Sequence, residues 1–338
     1  MRAFVISGPG IGAVTDVPEP VAAPGQVVVE VDRVGVCGTD MEFYRGDMTY
    51  LASGDAVFPM RIGHEWSGRV AEVGEERDAS WVGRRVTGDT MLGCRQCSRC
   101  LNGRQHLCNE RYEIGIRHGW PGALAERLTV PTSSLVALPE DFDPALGALV
   151  EPGGNALRAV RGANLRPGDS ALVIGAGTIG LLVAQIARAQ GAEVHIVGRS
   201  ERSLDFARGL GFTRTTTWDD LDRTHAFRAV VDASNTKGSP ALAVDIVEPG
   251  GRIVLIGIAG EPSLIDTRDL AIKDVTAVGV LSASGGLEET VDLYATGAVD
   301  PRPLVAATVG LEAAAAILAG ERPAGAGTGP KFHIDPRR

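Results

Sequence analysis

The chain has 338 residues, 44% of them hydrophobic and 22% charged, with a formal net charge of −9. That length suits two domains, because single cores stop growing at roughly 250–300 residues, and an acidic chain with no basic block speaks against nucleic acid or anionic membrane as a partner. No apolar run approaches the ~20 residues of a membrane span. Met1–Ser7 lacks the basic and long apolar regions of a signal peptide, so the expectation is a soluble cytoplasmic protein.

In chain order, Arg2–Ile6, Gln26–Val34 and Gly68–Val73 read as strands, rich in valine and isoleucine and separated by glycine and proline. The first ~150 residues are therefore β-rich and turn-dense. Near Val150 the character changes. Asn155–Arg161 reads as helix, Ser170–Ile174 as a wholly apolar strand, Ile179–Gln190 as an apolar helix, Glu193–Val197 as a strand and Ser203–Leu210 as a helix. Ala229–Asp232 and Arg252–Ile256 add two buried strands. Strands alternating with helices predict a parallel sheet with helices on its faces. The tail from Gly286 gives a helix at Leu287–Thr296, a break at Pro301 and Pro303, an alanine-rich helix at Leu311–Ala319, a Gly/Ala/Pro loop at Pro323–Pro330 and a strand at Lys331–Ile334.

Four of the five cysteines, Cys94, Cys97, Cys100 and Cys108, fall in one short stretch. In a reducing compartment such a cluster reads as metal-binding rather than disulfide-bonded. Two-residue gaps let tight loops aim sulfurs at one centre, and four thiolates close a tetrahedral zinc shell with no open position, which is a structural site. Arg95, Arg99 and Arg104 decorate this lobe; on an acidic chain they read as a solvated or subunit-contacting face rather than a nucleic-acid grip. The fifth cysteine, Cys37, lies in Gly35-Val36-Cys37-Gly38-Thr39-Asp40, and Ile62-Gly63-His64-Glu65 and Glu151-Pro152 offer an imidazole and carboxylates. Taken singly, such residues are more often packing than ligands. Together, ahead of a nucleotide-binding unit, they suit an open, catalytic zinc shell.

Ser170–Ile174 runs into Gly175-Ala176-Gly177-Thr178-Ile179-Gly180 and then a helix. With a strand before and a helix after, this is the glycine turn of a dinucleotide site, with the helix N-terminal amides facing the pyrophosphate. The next strand ends at Val197-Gly198-Arg199-Ser200, where an NAD site carries Asp or Glu for the ribose 2′-hydroxyl. Gly198 removes that carboxylate, and Arg199, Ser200 and Arg202 supply cations and a hydroxyl that suit a 2′-phosphate. The expected cofactor is NADP(H) in preference to NAD(H).

Cys37-Gly38-Thr39-Asp40, Gly63-His64-Glu65, the four-cysteine lobe, Glu151-Pro152 and Gly175–Gly180 together resemble the zinc-dependent medium-chain dehydrogenase/reductase superfamily of alcohol, sorbitol and threonine dehydrogenases, over essentially the whole chain. The resemblance implies an α/β fold. A GroES-like catalytic domain would span 1–150 with the zinc lobe at about 93–109, a Rossmann domain 151–285, and a segment 286–338 would return to the first domain. It implies two zinc ions per chain and a homodimer or homotetramer. Cys37 and His64 would ligate catalytic zinc; Glu151 stands where alcohol dehydrogenases carry a second cysteine and polyol dehydrogenases a glutamate. Glu65 matches a glutamate that is a ligand in some members and supports the ligands in others, a role also expected of Asp40. Thr39 matches the hydroxyl that relays the substrate proton, and Lys331 falls near a basic residue that meets the pyrophosphate. Where many members continue the relay with a histidine, this chain has Glu42. Thr39-Asp40-Met41-Glu42 resembles glucose dehydrogenases. Phe43-Tyr44-Arg45-Gly46 with His64-Glu65-Trp66-Ser67-Gly68 resembles aminocyclitol dehydrogenases. Both favour a polyhydroxylated small-molecule alcohol or its ketone as substrate, with Tyr44, Trp120 and Glu113 as candidates for its pocket. Competing readings are a zinc-free reductase, which would lack the metal residues, and a zinc-binding interaction module, which would leave the Rossmann half unexplained.

Overall fold

The computed structural model describes residues 1–338, which divide into two compact units. The first comprises Met1–Glu151, Leu287–Ala295 and Asp300–Arg338; the second comprises Pro152–Gly286 and Thr296–Val299.

The first unit is built on a seven-stranded sheet. Along its main path the strands run Val305–Gly310, Lys331–Asp335, Gln26–Gly35, Glu65–Val73, Arg85–Gly88 and Leu135–Ala137, and Arg127–Pro131 also pairs with Gln26–Gly35. Pairing is antiparallel except between Val305–Gly310 and Lys331–Asp335. The valine-rich centre of Gln26–Gly35 puts Val29, Val31 and Val34 into a core shared with Phe4, Trp66 and Leu128, all at most 1% exposed. That burial, with strands on both sides, makes Gln26–Gly35 the rigid element from which the chain reaches Cys37. The helix Gly38–Arg45 follows at once. Asp40 in its first turn takes the Cys37 N–H at 2.9 Å, and Gly46 ends it in a left-handed conformation, φ 84°. The periodicity over eight residues is too short to announce this helix. Strand Val305–Gly310 was likewise illegible behind Pro301 and Pro303. The expected helix Leu311–Ala319 forms only as a 3₁₀ turn, Leu311–Ala313, followed by one α-turn, Ala314–Leu318.

The second unit carries six parallel strands in the spatial order Thr215–Thr217, Glu193–Gly198, Ser170–Ile174, Phe227–Asp232, Val247–Leu255, Thr276–Gly279. Numbered along the chain this order is 3-2-1-4-5-6, the doubly wound dinucleotide-binding arrangement, in which strand order reverses beside the first strand. Leu172, Val197, Val230 and Ile253 are at most 2% exposed, as expected for a parallel sheet covered on both faces. Val247–Leu255 begins five residues before the expected strand, and a register shift next to Phe227 absorbs the Glu248–Gly251 turn residues. No helix of the chain is long and apolar enough to cross a membrane.

Candidate functional site

Two strands of the first unit aim the first metal cluster. Gln26–Gly35 ends two residues before Cys37 and Glu65–Val73 starts beside His64, and the two pair through Gly35 and Glu65. One ligand atom from each of Cys37, His64 and Glu65 lies within 4.8 Å of the other two. Asp40, fully buried, ties the group together: one oxygen accepts the Cys37 N–H, and the other accepts the Gly63 N–H at 3.2 Å and faces His64 Nδ1 at 3.4 Å. A carboxylate at Nδ1 leaves Nε2 as the nitrogen available to a metal. Burial alone would lower the imidazole pKa, but the Asp40 carboxylate and the Cys37 sulfur outweigh it and raise it well above the ordinary value. A buried group of sulfur, nitrogen and carboxylate donors, held by a second carboxylate, fits zinc.

Lys331 corrects an expectation. Its ammonium does not reach outward toward a pyrophosphate. It is 3% exposed and donates to both Glu65 oxygens, at 2.8 and 2.7 Å, and to the Val36 carbonyl at 2.9 Å. Buried beside Glu65, the ammonium stays charged, because the neighbouring carboxylates offset its desolvation. The signal was a lone lysine in the otherwise apolar-alternating strand Lys331-Phe332-His333-Ile334. Glu151, 6% exposed at the start of helix Val150–Ala163, is not one of the three residues brought within 4.8 Å. Thr39 is half-buried in the first turn of Gly38–Arg45, and Glu42 stands three residues further along that helix. Burial, reinforced by Asp47, raises the Glu42 pKa. The pocket candidates have other partners. Tyr44 donates to the Gly10 carbonyl at 3.0 Å and Trp120 to the Thr129 carbonyl at 3.0 Å, while Glu113 accepts from Arg111 at 2.8 Å.

The second cluster sits on a lobe whose neck is the antiparallel pair Met91–Leu92 and Tyr112–Glu113. All four cysteine sulfurs lie within 4.8 Å of one another, with Cys94–Cys100 at 4.0 Å and Cys97–Cys108 at 3.9 Å. A tetrahedron with ~2.3 Å zinc–sulfur bonds has edges of about 3.8 Å, so the lobe already has the shape of the ion it would hold. Its thiols are electrostatically unequal. Backbone N–H groups of Gln96 and Cys97 lower the Cys94 pKa to about 6, while burial and neighbouring thiols push Cys100 up to about 12. Four thiolates cannot crowd together without a cation, and a divalent metal removes that conflict. Of the three lobe arginines, Arg99 donates inward to the Leu107 carbonyl at 2.8 Å.

In the second unit, Ser170–Ile174 ends at Gly175, φ 109°, and Gly177 caps helix Thr178–Ala189. A Cβ on Gly180 would stand 1.8 Å from the Gly175 carbonyl, so helix and turn can approach this closely only with glycine there. A Cβ on Gly177 would meet nothing within 4 Å, which leaves open space over the helix N-terminus where Thr178 and Ile179 present their amides. The turn lies where the strand order reverses, and it fits a dinucleotide pyrophosphate. One strand over, Gly198 is buried, and Arg199, Ser200 and Arg202 are exposed. The Ser200 hydroxyl caps helix Glu201–Gly209 through the Ser203 N–H.

Comparison with known proteins agrees with both units. Residues 23–140 match the family pattern of the alcohol dehydrogenase GroES-like domain, and residues 178–296 match that of zinc-binding dehydrogenases. The chain is 32% identical over 276 residues to L-threonine 3-dehydrogenase of Marinomonas sp. strain MWYL1, covering 79% of this chain and 80% of that one. A Sinorhizobium meliloti 1021 protein taken to be a zinc-binding dehydrogenase, solved with NADP bound, superposes with a TM-score of 0.89 at 26% identity over 99% of both chains. Galactitol-1-phosphate dehydrogenase of Escherichia coli gives 0.86 at 25% identity over 99% of this chain and 100% of that one. The chain belongs to the zinc-dependent medium-chain dehydrogenase/reductase superfamily and is an oxidoreductase of the alcohol dehydrogenase type.

Proposed function

We propose that the protein is a cytoplasmic, NADP(H)-linked dehydrogenase that interconverts a polyhydroxylated or amino-substituted secondary alcohol and its ketone. The observation that carries the catalytic reading is the meeting of Cys37, His64 and Glu65 within 4.8 Å under Asp40. Cys37 and His64 would hold the catalytic zinc, with Glu65 or Glu151 completing the set, and the four-cysteine lobe would hold a second. When bound, the zinc supplies Lewis-acid polarisation of the substrate oxygen and the nicotinamide supplies the hydride chemistry. The protein's own work is positioning and proton handling. Asp40 fixes the His64 ring and the Cys37 backbone. Thr39 accepts the substrate hydroxyl proton, and Glu42, its carboxyl biased toward protonation by burial, receives it one helical turn later.

Support for NADP(H) is the lack of a carboxylate at Gly198 and the exposed cations Arg199 and Arg202 beside it. Support for a hydroxylated or amino-substituted substrate comes from the galactitol-1-phosphate and L-threonine dehydrogenases the chain is similar to. A homodimer or homotetramer is part of the proposal: the outermost strand Thr276–Gly279 is largely exposed and has a free edge, with Ile272 81% exposed nearby. The deciding experiment follows NADPH and NADH absorbance across secondary alcohols, sugars, cyclitols and amino alcohols including L-threonine. We expect kcat/KM to favour NADP(H) by roughly tenfold or more, equivalent to ~1.4 kcal/mol, and Cys37→Ala to lose turnover while still binding cofactor. A clear preference for NAD(H) would overturn the cofactor assignment, and full activity of a metal-free Cys37→Ala protein would overturn the mechanism.

A further inference from the structure

Arg61 is a half-buried cation without a counter-ion. Its Nε is inaccessible and has no hydrogen-bond partner, and no carboxylate lies within ion-pair distance of its guanidinium. Burial is the one influence on it, lowering its pKa from 12.5 to about 10 with no acid opposing the shift, so the group is still charged at neutral pH. Leaving the inaccessible Nε unsatisfied is costly, and proteins ordinarily pair such a donor. The backbone explains why it stays in place. The Arg61 and Ile62 carbonyls accept from the Gly122 and Leu124 N–H at 2.8 and 3.0 Å, which pins the segment leading into Gly63-His64.

Arg61 lines two adjoining cavities. One cavity, of about 250 Å³, is walled by Val5, Val57, Pro59, Met60, Ile116 and Trp120, and Arg61 is the one charged residue lining it. A second, of about 440 Å³, shares Val17, Arg61, Gly119, Trp120 and Pro121 with the first and adds Tyr112, His118, Gln26 and Met1, whose ammonium pairs with Glu19. Neither is lined by Cys37, Thr39, His64 or Glu65. In the first cavity, one guanidinium among apolar walls is the complement of a single carboxylate on an apolar body. The planar fork matches a carboxylate's two oxygens, and the walls take an alkyl or aryl remainder. A phosphate would bring more negative charge than one arginine offsets.

We propose that the apolar cavity lined by Arg61 is a binding site for an organic monocarboxylate, separate from the zinc and dinucleotide residues. The test is titration of the zinc-loaded full-length protein with benzoate, its uncharged analogue benzamide and inorganic phosphate, by calorimetry and thermal shift. Benzoate is expected to bind saturably and to raise the Tm, while benzamide and phosphate do neither. Arg61→Gln should weaken benzoate at least tenfold without lowering the Tm of the unliganded protein, since it removes an unpaired charge. Arg61→Lys should retain part of the affinity, and Cys37→Ser all of it. The proposal is overturned if benzoate does not saturate, if benzamide or phosphate binds equally well, if Arg61→Gln binds normally, or if Cys37→Ser abolishes binding, which would place benzoate at the zinc residues.

Discussion

Asp40 shows how much can rest on one side chain. Its two oxygens cap the helix that carries Thr39, hold the turn before His64 and face the imidazole itself. Asp40→Asn keeps the shape but loses the negative charge that orients and polarises the ring, so metal affinity or turnover should fall roughly 10–100-fold. Zinc retention during dialysis, measured beside kcat, checks this. His333 makes a different prediction. It is fully buried opposite Gly35, neither ring nitrogen has a hydrogen-bond partner, and burial, with Lys331 and Arg33 nearby, depresses its pKa from 6.5 to about 3. A depressed folded-state pKa means the unfolded chain binds the extra proton. Stability from this group is therefore complete above pH 6.5 and is lost as pH falls toward about 3, at up to ~1.4 kcal/mol per pH unit. Denaturant unfolding at pH 7 and pH 5.5 should show this slope in the native protein and a shallower one in His333→Leu.

At the scale of elements, the cysteine lobe is a small piece of chain with little core of its own. It has one helical turn, Ser98–Leu101, a 3₁₀ turn, Gln105–Leu107, and a two-stranded neck. Its order would depend on the ion joining the four sulfurs. Cys100→Ser should lower the zinc content by one ion per chain relative to the unaltered protein, for which two are proposed, and make the 93–109 segment sensitive to proteolysis, while leaving cofactor binding intact; metal analysis and limited digestion read both effects. Elements with a strong local pattern were legible in the sequence. Ser170–Ile174 was bounded to the residue because a fully buried parallel strand is apolar at every position. That Cys37, His64 and Glu65 come together was legible because few residue types are metal donors, whereas Glu151, expected with them, is not brought within the same 4.8 Å. Three things depended on packing between segments far apart in sequence. The helix after Cys37 is eight residues long, the Val305–Gly310 strand is defined by its partner, and the Lys331–Glu65 pair joins positions 266 residues apart. No local period encodes these.

For the whole molecule, the free edge at Thr276–Gly279 argues for assembly, because an exposed row of unpaired N–H and C=O groups invites another strand. Replacing Ala277, whose N–H lies on the free side because Val280 and hence Val278 donate inward to Val247–Leu255, with proline should remove a donor from that edge and shift the mass measured by light scattering toward the monomer, whereas the same change inside Glu193–Gly198 should unfold the second unit. The sheet of the first unit carries a further consequence, for the order in which the protein is made. Two of its strands, Val305–Gly310 and Lys331–Asp335, lie beyond the whole second unit in the chain. During synthesis the dinucleotide-binding sheet therefore has all its strands while the metal-binding sheet still lacks two, together with the lysine that neutralises Glu65. The early-made half must wait with an open sheet edge and an unpaired buried carboxylate, which makes this interval the nascent chain's most vulnerable to misassembly.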